Sequence, residues 1–120
     1  MKTPLLAAAL LLSPTALMAQ PYSESMADCA SVYQNAARWM PSEEHANSMT
    51  YAAQQWHAAA VKQSHTEGRE MTETAMWEKV DAKTKRWESK GALFPLSEEF
   101  NDWATYCQSF AGHVNVAYKP

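Results

Sequence analysis

From Ser25 onward the apolar residues recur at the three- and four-residue spacing of a helix. Cys29, Val32, Tyr33, Ala36 and Met40 fall on one stripe, which predicts a first helix over residues 25–40. Ser25 with Asp28 resembles a capping box at its start, and Pro41 ends it by disfavouring helical geometry in the residue before. A second helix is expected from Ser42, whose hydroxyl can cap free amides while Glu43 and Glu44 suit the positive end of the dipole. Met49, Ala52, Ala53, Trp56, Ala59 and Ala60 form its apolar stripe, fraying is expected near His65, and Gly68 is the stop.

The third segment, residues 70–89, is less regular. Met76, Val80 and Trp87 share a face, but Lys83 lies among them and Trp77 points to one side, so this helix is expected to be the most exposed. It ends at Gly91. The last helix is the clearest. Ser97 caps it, and Phe100, Trp103, Ala104, Cys107, Phe110, Ala111 and Val114 make an unbroken stripe. Gly112 costs it about 1 kcal/mol relative to alanine.

Four amphipathic segments with short connections predict an all-α fold, an up-and-down four-helix bundle formed by a single domain over residues 20–120. The spacing also admits a looser three-helix arrangement. Composition adds a reason for a covalent staple. After residue 19 the chain has no isoleucine, five valines and only two leucines, so alanine, methionine and five tryptophans must fill the core. The two cysteines, Cys29 and Cys107, lie on the apolar stripes of the first and last helices, which a bundle makes antiparallel neighbours. An intramolecular disulfide is the expectation; two free thiols and an intermolecular bridge are the alternatives.

The N-terminus supports that chemistry. Met1 to Pro4 includes a lysine, Leu5 to Leu12 is apolar, and Pro14 precedes small residues, the layout of a secretory signal peptide over residues 1–19 that is cut after Ala19. A transmembrane anchor needs about 20 apolar residues, and Pro14 and Gln20 interrupt the run. No cysteine stands at the cut, so no lipid anchor is expected, and the processed chain should be periplasmic or secreted with no membrane attachment. Removing Lys2 leaves nine of the ten basic residues against thirteen acidic ones. That balance argues against nucleic acid as a partner.

Absent spacings remove whole classes of chemistry. There is no Cys-x-x-Cys for redox or zinc, no Cys-x-x-Cys-His for covalent haem and no His-Glu-x-x-His. No Glu-x-x-His pair for a di-iron site is present, nor a nucleophile elbow or phosphate-binding glycine loop. No catalytic residues are expected, and any enzyme here would use an unfamiliar site. His45 and Met49, four residues apart, could offer copper a borderline and a soft ligand. His57 and His65 read as solvated. The paired carboxylates Glu70 and Glu73, Glu78 and Asp81, and Glu98 and Asp102 read as polar helix faces.

Met26 on the first helix and His113 on the last resemble, in placement, the ligands of the small exported four-helix cytochromes of the b562 type. That resemblance implies b-type haem held between the two. His113 follows Cys107 by six residues, however, roughly 120° around the helix and off the apolar stripe. Leu93, Phe94 and Leu96, in the connection between the last two helices, could either cap the bundle or form an exposed apolar patch. The leading expectation is therefore a small exported, non-enzymatic protein acting by binding a protein partner or a small apolar ligand. Inhibitor, immunity-type and accessory roles fit it, and a haem or copper protein is the alternative.

Overall fold

A computed structural model describes residues 20–118; the expected signal peptide, residues 1–19, lies outside the described residues. Four α-helices, α1 (Tyr22–Arg38), α2 (Glu43–Thr66), α3 (Glu73–Glu88) and α4 (Glu98–Val114), make up the described chain, with a 3₁₀ turn at Phe94–Leu96 before α4. Three N-termini are capped by hydroxyls. Ser42, Thr72 and Ser97 accept from the backbone N–H groups of His45, Ala75 and Phe100 at 3.0–3.1 Å. α1 differs from expectation. It starts behind Pro21, three residues early, so Ser25 and Asp28 lie inside the helix and form no capping box. Gly68 and Gly91 follow α2 and α3 with φ of +77° and +85°, the left-handed region where a side chain is strained.

Cross-helix contacts fix the directions. Ser23 meets Glu67 and Tyr22 meets His113, so α2 and α4 run antiparallel to α1. Glu24 meets Lys79 whereas Arg38 meets Glu88, so α3 runs parallel to it. The alternation is up, down, up, down. α1 is the central element: eleven of its 17 residues are buried, against four of 16 in α3 and three of 17 in α4. The expectation that α3 is the most exposed helix is therefore corrected, since α4 buries no more of itself. Its stripe meets α1 at Cys107 and Phe110, α2 at Phe110 and α3 at Trp103.

The core is built as the composition demands. Ala27, Ala30, Ala36, Ala52 and Ala60 are fully buried, which brings α1 and α2 close, and Trp56 and Tyr33 fill the space that leucine would otherwise take. The Cys29–Cys107 disulfide joins α1 to α4 with Cα atoms 5.8 Å apart, and both cysteines are fully buried. The chain after α4 also packs. Asn115 adopts the left-handed conformation that ends the helix, and Tyr118 comes back to place its hydroxyl 3.1 Å from that of Tyr33. Burial, and secondarily this hydrogen bond, push the Tyr33 phenol far above its ordinary range.

α1 and α3 are clamped by charge. Lys83 Nζ lies 2.8 Å from Asp28 Oδ1 and 2.5 Å from Glu24 Oε2, while Lys79 reaches the other Glu24 oxygen at 2.6 Å. Burial opposes ionisation of Glu24, but hydrogen bonds and charge from Lys79 and Lys83 outweigh it and hold the carboxyl below its usual range. Lys83 is likewise disfavoured by burial, yet Asp28 and Glu24 raise its ammonium above the ordinary value. The lysine that interrupts the apolar face of α3 is thus the centre of a half-buried ion cluster. At the other side, Glu67 accepts from the Ser23 hydroxyl and backbone N–H at 2.6 and 3.0 Å, which ties the end of α2 to the start of α1.

Candidate functional site

The turn between α3 and α4 divides the predicted apolar patch in two. Phe94 is 3% exposed, whereas Leu93 and Leu96 are 73% and 84% exposed. Phe94 points inward because Trp87 stacks on it at 5.3 Å and Phe100 meets it edge-on at 5.7 Å. The 3₁₀ turn is pinned further by Ser97, whose hydroxyl donates to the Phe94 carbonyl at 2.6 Å while also capping α4. Leu93 and Leu96 therefore project from a rigid anchor. They are also the two leucines of residues 20–118, so the residue best suited to a helical core is spent entirely on the surface. A depression of about 430 Å³ between the end of α3 and the start of α4 is bordered by Arg86, Trp87, Ser89, Lys90 and Glu99. Lys90 and Glu99 pair across it at 3.3 Å, giving the apolar tip a charged margin.

The two cofactor pairs fare differently from this tip. Met26 is buried in the core beside Cys29 and Phe110. His113 is exposed, and its Nε2 lies 3.1 Å from the Tyr22 hydroxyl. The Tyr22 ring stands edge-on to Phe110 at 5.3 Å and to His113 at 6.0 Å. His45 is exposed with Nδ1 3.0 Å from the Ser42 hydroxyl, in the first turn of α2, while Met49 packs against the core from the same helix. Among the described residues no three His, Cys, Asp or Glu side chains group so as to hold a metal ion. No protein-family model, curated protein or solved structure matches this chain.

His57 corrects another expectation. It is 5% exposed, not solvated. Trp77, the side chain that seemed to stray from its helix face, stacks flat on the His57 ring at 3.9 Å, and His57 Nε2 donates to the Glu73 carbonyl at 2.9 Å. The carbonyl can only accept, so the proton sits on Nε2. This pair closes the α2–α3 seam. His65 is exposed as expected and sits 3.2 Å from Glu70.

A buried disulfide is compatible with an exported protein; among the described residues no helix is long and apolar enough to cross a membrane. Sequence reasoning missed the Glu24–Asp28–Lys83 cluster. Its one signal was Lys83 on an apolar stripe, with two acidic residues four apart on α1 to answer it.

Proposed function

We propose that this is an exported, non-enzymatic binding protein whose helical bundle presents Leu93 and Leu96 to the apolar pocket of a protein partner. Inhibitory, immunity-type and accessory roles all fit that description. One observation carries the reading: both leucines stand out on a turn whose Phe94 is buried between Trp87 and Phe100. Rigid display lowers the entropy lost on docking, and apolar side chains inside a charged margin match the usual layout of an interface.

Burying each leucine in a partner would contribute about 1.5–3 kcal/mol, or tenfold and more in affinity. The double variant Leu93→Glu/Leu96→Glu is therefore expected to lose its partner in cross-linking from the native compartment. Its circular dichroism and thermal midpoint should match the parent, because neither side chain supports the core. Recovery of the same partner at undiminished yield would remove the tip from consideration. Phe94 is unsuitable for this test, since changing it would loosen the anchor itself.

A further inference from the structure

One face of α4 carries an aromatic series that continues onto α1. Trp103, Tyr106 and Phe110 follow at helical spacing, with ring centroids 5.9 Å and then 5.7 Å apart, the second pair nearly parallel. Tyr22 of α1 meets Phe110 at 5.3 Å. Behind Trp103 stands Trp87 at 5.6 Å, and Trp56 stacks on Phe110 at 5.4 Å, so two buried indoles adjoin the same series. Tyr22 is 43% exposed, and its hydroxyl lies 3.1 Å from His113 Nε2, itself at the surface. In the tautomer protonated on Nδ1, that nitrogen accepts from the phenol.

We propose that this series is a redox relay that carries oxidising equivalents from Trp103 to a surface tyrosine–histidine pair, Tyr22 with His113. A one-electron oxidant of the radical class takes an electron from the Trp103 indole and is itself reduced. The oxidised indole is restored by one electron from Tyr22 that tunnels across the Phe110 and Tyr106 contacts, with the Phe110 ring itself never oxidised. Tyr22 gives up its phenolic proton to His113 Nε2 in the same step, leaving a neutral phenoxyl beside an imidazolium. A small reductant of the ascorbate class then returns an electron to the phenoxyl, and His113 returns the proton.

Two features make Tyr22 the end of the line. Phenol oxidation is easy only when the proton has somewhere to go, and Tyr22 has an imidazole at hydrogen-bond distance. It is also 43% exposed, where a dissolved reductant can reach it; Tyr106 is as open at 45% and nearer Trp103, but its hydroxyl meets no base among the described residues. The relay would direct radical damage away from the tryptophan-rich core, and it is independent of partner binding at the leucine tip.

Pulse radiolysis with azidyl radicals on the disulfide-bonded protein tests it. The indolyl absorption should decay at a rate independent of protein concentration, with phenoxyl absorption rising at the same rate. Tyr22→Phe and Trp103→Phe should each lose most of that phenoxyl signal, and His113→Gln should slow its rise. Tyr51→Phe, which removes an exposed tyrosine outside the series, should change nothing. A transfer rate that scales with protein concentration overturns the relay, as does a full phenoxyl yield in Tyr22→Phe or its loss in Tyr51→Phe. An unchanged rise in His113→Gln removes the histidine from the mechanism. Tyr22, Tyr51 and His113 are surface residues, so these three variants should fold as the parent does.

Discussion

Reducing the Cys29–Cys107 bridge is expected to lower stability by about 4.5 kcal/mol, about a third or more of the roughly 5–15 kcal/mol that a domain possesses. The cysteines are 78 residues apart, so the bridge closes nearly the whole described chain into one loop. In the chain-entropy account the gain comes from the unfolded state, which loses freedom roughly as the logarithm of loop length. The folded state needs the bridge for a second reason. α4 contributes only three buried residues, and one of them is Cys107 itself. Thermal midpoints with and without reductant should differ by about 18–36 °C, taking about 4–8 °C per kcal/mol for a domain near this length. A difference of only a few degrees would mean that the aromatic contacts of α4 hold it to α1 unaided.

Part of that dependence is legible in the sequence. The apolar stripes of α1 and α4 and the two cysteines on them gave the bundle, its direction and its bridge, because helical spacing encodes which face is buried. Element ends followed from hydroxyl caps and glycines, whose effect is local. What spacing could not supply was the rank of the helices. α1 sits at the centre because its alanines, Ser31 and Asn35 are small enough for neighbours to close around it, and periodicity cannot distinguish a helix covered on three sides from one covered on one. Asn35 is fully buried, and neither of its side-chain polar atoms has a hydrogen-bond partner among the described residues. Nothing in the pattern marks it.

The candidate site was legible to the same degree. Leu93, Phe94 and Leu96 stand out in the sequence because the connection between the last two helices holds both leucines of residues 20–118, yet the split between buried Phe94 and exposed Leu93 and Leu96 depends on Trp87, seven residues upstream on another element. His57 was misread because histidine is more often at the surface, and its burial requires a flat partner, Trp77, that comes from α3. In both cases a tertiary aromatic contact decided the outcome. Local sequence carries no information about that pairing until the helices are placed.

Replacing Lys83 by methionine is expected to destabilise the fold by about 2–3 kcal/mol, less than the roughly 3–5 kcal/mol for breaking a fully buried pair because this cluster is only half-buried. The Lys83 and Asp28 side chains are only 14% and 11% exposed, so Asp28 would be left with Gln20 at 3.2 Å and Arg86 at 3.8 Å as its compensation. The double variant Lys83→Met/Asp28→Leu should recover most of the loss, because apolar residues in place of a buried pair are often neutral or stabilising. Urea midpoints for the parent, both single variants and the double variant give the coupling directly. A loss below about 1 kcal/mol in Lys83→Met would equate the cluster with an ordinary surface pair.

The pH profile checks the same cluster from the other side. Glu24 titrates lower in the folded protein than its ordinary value of 4.5, so its contribution is complete above that pH and disappears as acid takes the solution through the folded value. Lys83 titrates above its ordinary 10.5, so its contribution is complete below that pH and is lost as alkali passes the raised value. Stability of the parent should therefore fall at both extremes. Lys83→Met should lose its share of the alkaline decline while keeping part of the acid one, because Lys79 still holds the second Glu24 oxygen. An alkaline limb equally steep in the variant would place the titrating group elsewhere, and the clamp between α1 and α3 would then rest on packing rather than on charge.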